Sequence, residues 1–108
     1  MTVYIDNHVY QENFILLDII RDSEDFKLFQ KTAPVFLAIM SKQFNMPCPE
    51  GKSYYETVQE IIFQLTSCLC ELIRDQPEKH YTVSSGRIMI SYTPLKTKSS
   101  INISLIVS

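Results

Sequence analysis

"RIMISYTPLKTKSSINISLIVS", residues 87–108, decides the fold, because its apolar residues recur at every second position. Ile88, Ile90 and Tyr92 alternate with Met89, Ser91 and Thr93. After the turn signal "PLKTKSS", Ile101, Ile103, Leu105 and Val107 alternate with Asn102, Ser104 and Ser108. Period two places each set on one side of a strand, so the segment reads as antiparallel strands with an apolar and a wet face. "HYTV" joins them through a turn at Ser84, Ser85 and Gly86, which completes a C-terminal meander. A strand as apolar as residues 101–108 needs partners on both edges, which predicts a place inside the sheet, beside an N-terminal strand.

Upstream of Pro77 the period is 3.6. "SYYE" opens the longest helix: Ser53 fits the N-cap and Glu56, three residues on, completes a capping box. Val58, Ile61, Ile62, Leu65, Leu69, Leu72 and Ile73 form its apolar stripe, and Pro77 ends it after Asp75 or Gln76. "PVFLAIMSKQF" carries a second helical pattern, with Pro34 suited to a first helical position, so two helices are expected to meet around Thr32 to Pro34. Asp22 or Ser23 can cap the earlier of them, with Glu24 and Asp25 in its first turn. "QENFILLDIIRD" predicts a further helix from about Tyr10 to Arg21, and "TVYIDNHVY" a short strand or hairpin turning at Asp6 and Asn7. The expected architecture is α+β: three or four helices packed on one face of a three- to five-stranded antiparallel sheet, in one domain over residues 1–108.

Composition agrees with a globular domain: 108 residues, 45% hydrophobic and 20% charged, with Gly51 and Gly86 as its two glycines. So few glycines leave no material for a GxGxxG turn, a Walker loop or a nucleophile elbow. No apolar run reaches the roughly 20 residues that span a bilayer. An odd number of cysteines, and an N-terminus unlike a secretion signal, predict a cytoplasmic protein.

Cys68 and Cys70 lie about 200° apart around a helix, so a regular helix does not aim both sulfurs at one ion. Cys68 is expected to act as a small core hydrophobe, whereas Cys70 shares a face with Phe63 and forms a second, smaller apolar patch. Cys48, between Pro47 and Pro49 in "NMPCPEGKS", reads as a half-buried structural thiol, with a nucleophile or ligand-sensing role as the sharper reading. His8 and His80 are expected at the surface, and the helix pairs Glu56/Glu60 and Asp18/Asp22 as solvated carboxylates. No metal site and no cofactor are expected.

Charge is unevenly spread despite a net of -2. Asp6, Glu12, Asp18, Asp22, Glu24 and Asp25 crowd the first 26 residues, while Lys79, Arg87, Lys96 and Lys98 occupy the last 30, which hold no acidic residue. The missing reaction motifs and the acidic cluster predict a non-enzymatic protein-binding domain. Its concrete form is a stoichiometric inhibitor, an immunity or antitoxin-like protein of a mobile element neutralising a basic toxin. Asp18, Asp22, Glu24 and Asp25 would meet the partner by charge, and Phe63 with Cys70 by apolar contact. The alternatives are a nucleic-acid-binding regulator using Arg87, Lys96, Lys98 and Tyr92 on the basic sheet, or a small ligand sensor. A homodimer through Phe63 and Cys70, or through an open strand edge, is compatible with each.

Overall fold

A computed structural model describes residues 8–16 and 24–106. Among them the chain forms four strands and two helices: β1 (His8–Leu16), α1 (Glu24–Gln43), α2 (Tyr54–Asp75), β2 (Tyr81–Ser85), β3 (Ile88–Pro94) and β4 (Ser99–Ile106). The strands make one antiparallel sheet in the order β1-β4-β3-β2. The α+β class holds, with two helices among the described residues where the sequence predicts three or four.

The meander forms as its alternation requires. Ile88, Ile90, Tyr92, Ile101, Ile103 and Leu105 are buried, and cross-strand register stacks Ile88 on Leu105, Ile90 on Ile103 and Tyr92 on Ile101. Gly86 enters the β2–β3 loop at φ +58, the conformation that a two-residue hairpin asks of its first position. β4 lies between β1 and β3, so the most apolar strand has both edges paired. The opposite face of the sheet carries uncharged polar groups. One row runs Thr82, Ser91, Asn102 and Asn13 across the four strands, and its groups bond locally: Thr82 with Ser91 at 3.2 Å, Ser100 to Asn13 at 2.8 Å and Ser104 to Asn102 at 3.0 Å.

The helix expected from Tyr10 is overturned over residues 10–16, which are strand. Tyr10, Glu12, Phe14 and Leu16 pair with Leu105, Ile103, Ile101 and Ser99, so these four face the core side. Gln11, Asn13 and Ile15 face outward and are exposed. The run "FIL" resembles a helix face because outward Ile15 interrupts the alternation. Pairing with a central strand then outweighs a weak local preference that Asn13 already lowers. The hairpin expected at Asp6 and Asn7, the remainder of that helix and the cap at Asp22 or Ser23 lie outside the described residues.

α1 is a single helix with Pro34 inside it, in place of two helices meeting there. An interior proline removes the bond to the Gln30 carbonyl and costs about 3 kcal/mol. Here Pro34 is fully buried between Ala33 and Leu37, also buried, so packing on the core side offsets part of that cost. The helix ends in a left-handed residue: Asn45 has φ 52, with Met46 N–H donating to the Ser41 carbonyl at 3.0 Å and Asn45 N–H to the Lys42 carbonyl at 3.1 Å. This is the Schellman pattern, with Asn in the place glycine usually takes.

α2 begins at the predicted N-cap, with Glu56 N–H donating to Ser53 Oγ at 3.1 Å. Val58, Ile62, Leu65, Leu69 and Ile73 are buried, and Ile61 packs against them. Both helices lie on the inner face of the sheet, α1 against β1 and β4 and α2 against β2 and β3. Phe29 of α1 is the joint to the N-terminal strand, meeting the Phe14 ring edge-on with centroids 5.0 Å apart.

Candidate functional site

α1 is apolar on two opposite sides. Phe26, Phe29, Ala33, Leu37 and Ala38 face the core, whereas Leu28, Val35, Phe36 and Ile39 are 64%, 42%, 53% and 50% exposed. At about 100° per residue the second group clusters on one face, nearly opposite the first. Positions 25, 28, 32, 35, 39 and 42 of that face follow alternating steps of three and four, the spacing of a helix seam. Thr32 belongs to this row, and its hydroxyl donates to the Leu28 carbonyl at 2.7 Å, which satisfies it within the helix.

Charged groups flank the two ends of the face. Glu24 and Asp25 stand in the first turn of α1 and Lys42 in its last, each where the helix dipole favours its sign. Glu24 and Lys42 are exposed and Asp25 is half-buried. Asp18 and Asp22, the other half of the expected acidic surface, lie outside the described residues.

Phe63 and Cys70 of α2 share an arc with Thr66, at three residues before and four after. Gln30 of α1 donates to Thr66 Oγ1 at 3.4 Å, so this arc borders α1. Phe63 is 43% exposed and Cys70 half-buried. Cys68 is exposed, which corrects its assignment to the core. The buried arc of α2 is centred on Ile62 and Leu69, and Cys68 lies about 120° from it, beyond Ile61 and Leu72.

The basic residues do not gather. Arg87 sits at one end of β3, its guanidinium 3.5 Å from Met46 Sδ. Lys96 and Lys98 occupy the β3–β4 loop at the other end, about 20 Å away along the seven residues of the strand. Tyr92 offers no open ring for base stacking: it is 4% exposed and its hydroxyl donates to the Pro77 carbonyl at 3.0 Å. Its ring lies beside that of Tyr81, with centroids 6.2 Å apart. The sheet position chosen for stacking is an inward position, because Tyr92 continues the Ile88 and Ile90 series.

Cys48 is half-buried and held from two sides: Sγ donates to the Lys52 carbonyl at 3.3 Å and lies 3.4 Å from Thr57 Oγ1. Tyr54 braces the same loop by donating to the Met46 carbonyl at 2.9 Å. His80 is exposed. Among the described residues no three His, Cys, Asp or Glu side chains stand together as a metal site, and no helix is long and apolar enough to cross a membrane.

The inner face of β1 holds one acid, Glu12, half-buried opposite Ile103. Tyr10 donates its phenolic hydrogen to Glu12. Burial, the hydrogen bond and the carboxylate's charge together push the Tyr10 hydroxyl well above the ordinary phenol range. An inward acid on an edge strand discourages another strand from adding there.

Sequence reasoning read "PVFLAIMSKQF" as a helix and did not single out its outer face. The signal was present: apolar residues stand at almost every position from Pro34 to Met40, more than one buried face consumes. No protein-family model, curated protein or solved structure matches the chain.

Proposed function

We propose that the protein is a small non-enzymatic protein-binding domain whose contact surface is the outer face of α1. One observation carries the reading: Leu28, Val35, Phe36 and Ile39 expose large apolar side chains on a single face of one helix. Scattered apolar residues are ordinary on a protein surface, whereas a contiguous row on a rigid element is the form that interaction sites take. A helix supplies such a row without reordering its backbone, which lowers the entropic cost of association. Glu24, Asp25 and Lys42 at the ends of the row give it polarity, and so a means of choosing a partner's orientation.

The inhibitor form of this proposal adds a basic partner that meets the first turn of α1 through Glu24 and Asp25. It rests on less, since Lys31 and Lys42 share the exposed side of the same helix.

The test compares tagged wild type with an Ile39→Asp variant, both purified from the native host at low and high salt. The expected result is a protein at near-equal stoichiometry with wild type, a native copy of the chain included, that the variant fails to retain while keeping its far-UV circular dichroism. Identical co-purification with both would refute the reading.

A further inference from the structure

The exposed row of α1 becomes its own complement when it is reversed. Reading along the seam gives Asp25, Leu28, Thr32, Val35, Ile39 and Lys42. In an antiparallel pair centred between Thr32 and Val35, Asp25 of one copy stands opposite Lys42 of the other. Leu28 then meets Ile39, and Thr32 meets Val35, a pair of almost equal volume and shape. We propose that α1 pairs antiparallel with α1 of a second copy, forming a two-fold symmetric homodimer along this seam.

Charge selects this arrangement twice over. The antiparallel pair sets the first-turn carboxylates, Glu24 and Asp25, against Lys42 at both ends. A parallel pair places like charges together at each end, which disfavours it. A two-fold axis requires the same patch on both partners, and a seam that reads the same when reversed meets that requirement. An unrelated partner would impose no such symmetry on this sequence.

The apolar middle can be covered without leaving a polar group stranded, because the Thr32 hydroxyl is already bonded to the Leu28 carbonyl. Pro34 and the Gln30 carbonyl that it deprives of a partner lie on the buried side of the helix, away from the seam. Phe36, 53% exposed, flanks the seam and widens the contact.

The seam is about 26 Å long from Asp25 to Lys42 and roughly 10 Å wide. That strip is about a third of the roughly 800 Å² per partner of a standard interface, so the dimer is weak and readily reversible. This inference rests on reading the outer face of α1 as a contact surface, and adds the identity of the partner.

Sedimentation equilibrium of the purified full chain, from low-micromolar to near-millimolar protein, tests it. Wild type is expected to shift from monomer to dimer, and Ile39→Asp to stay monomeric with unchanged circular dichroism. Lys42→Glu should weaken the dimer about three- to ten-fold, two symmetry-related charge contacts being lost. Adding Glu24→Lys and Asp25→Lys to that same chain should restore it. A wild type that is monomeric throughout, or a dimer indifferent to Ile39→Asp, would overturn the pairing. Neither result would touch the broader reading, which falls only if the host co-purification is indifferent to Ile39→Asp.

Discussion

The two helices are close in length, 20 residues in α1 and 22 in α2, and differ in how they divide their apolar residues. α2 concentrates them: Val58, Ile62, Leu65, Leu69 and Ile73 face inward, and Glu56, Glu60, Gln64 and Glu71 are exposed. α1 spreads them over two faces, one seated on α2 and the sheet, the other open. α2 buries most of its row, and its exposed apolar groups, Phe63 at 43% and Leu72 at 38%, stand apart on either side of the buried arc. α1 carries apolar surface beyond what the described fold covers, and such surplus on a rigid element is the physical basis for assigning it a contact.

The sharpest test of that contrast is truncation on each helix. Ile62→Ala, at the centre of the buried arc, should cost about 2–5 kcal/mol by urea unfolding, through lost transfer energy and the cavity left behind. Ile39→Ala, measured at a concentration where the protein is monomeric, should change stability by no more than about 0.5 kcal/mol. Equal losses would show that the outer face of α1 is needed within the monomer, and the contrast would fail.

Pro34→Ala sharpens the comparison from the side of the backbone. Restoring a hydrogen bond in the middle of α1 recovers helix propensity, while the lost ring packing and the freer unfolded chain work against it. The net expectation is a gain of about 1 to 2 kcal/mol, seen as a raised Tm. A lowered Tm would mean that the buried ring of Pro34 contributes more than the helix bond that it forbids.

Ser53→Ala acts at the start of α2, where it removes the acceptor for the Glu56 N–H. About 1 kcal/mol should be lost, and amide exchange should quicken in the first turn of α2 while α1 is unchanged. Faster exchange in both helices would show that the two open as one unit.

The smallest effect concerns Tyr10, whose folded-state pKa is raised. A group of this kind contributes stability that is present in full below its unfolded pKa, about 10 for a phenol, and is lost as pH rises beyond it. Tyr10→Phe should therefore show a shallower fall of stability than wild type above about pH 10. Parallel pH profiles would remove the Tyr10–Glu12 pair from the stability of the β1 edge.

Legibility differed among elements for physical reasons. The meander and α2 could be read because each buries one face only, so alternation or a 3.6-residue stripe is visible in the residues themselves. β1 misled because Ile15 points outward beside Phe14 and Leu16, which blurs period two, and because its partner, β4, lies more than 80 residues away in sequence. Pro34 signals a break by every local rule, and α1 continues through it because the ring is buried. The candidate site was less legible than the fold. Its charged end at Glu24 and Asp25 was singled out, but the row from Leu28 to Ile39 was read only as helical pattern, because apolarity does not say which of two faces is covered.

By itself the sequence determined the α+β class, the C-terminal meander and its order of inward residues, the start and stop of α2, and the central place of the last described strand. These follow from short-range periodicity and capping, which act within a few residues. Tertiary structure alone decided that residues 8–16 are an edge strand, that α1 passes through Pro34, that Cys68 is exposed, and that one side of α1 is left open. Each of these is settled by which surfaces meet across the fold, and a helix apolar on two sides becomes a contact surface only where the rest of the chain covers one of them.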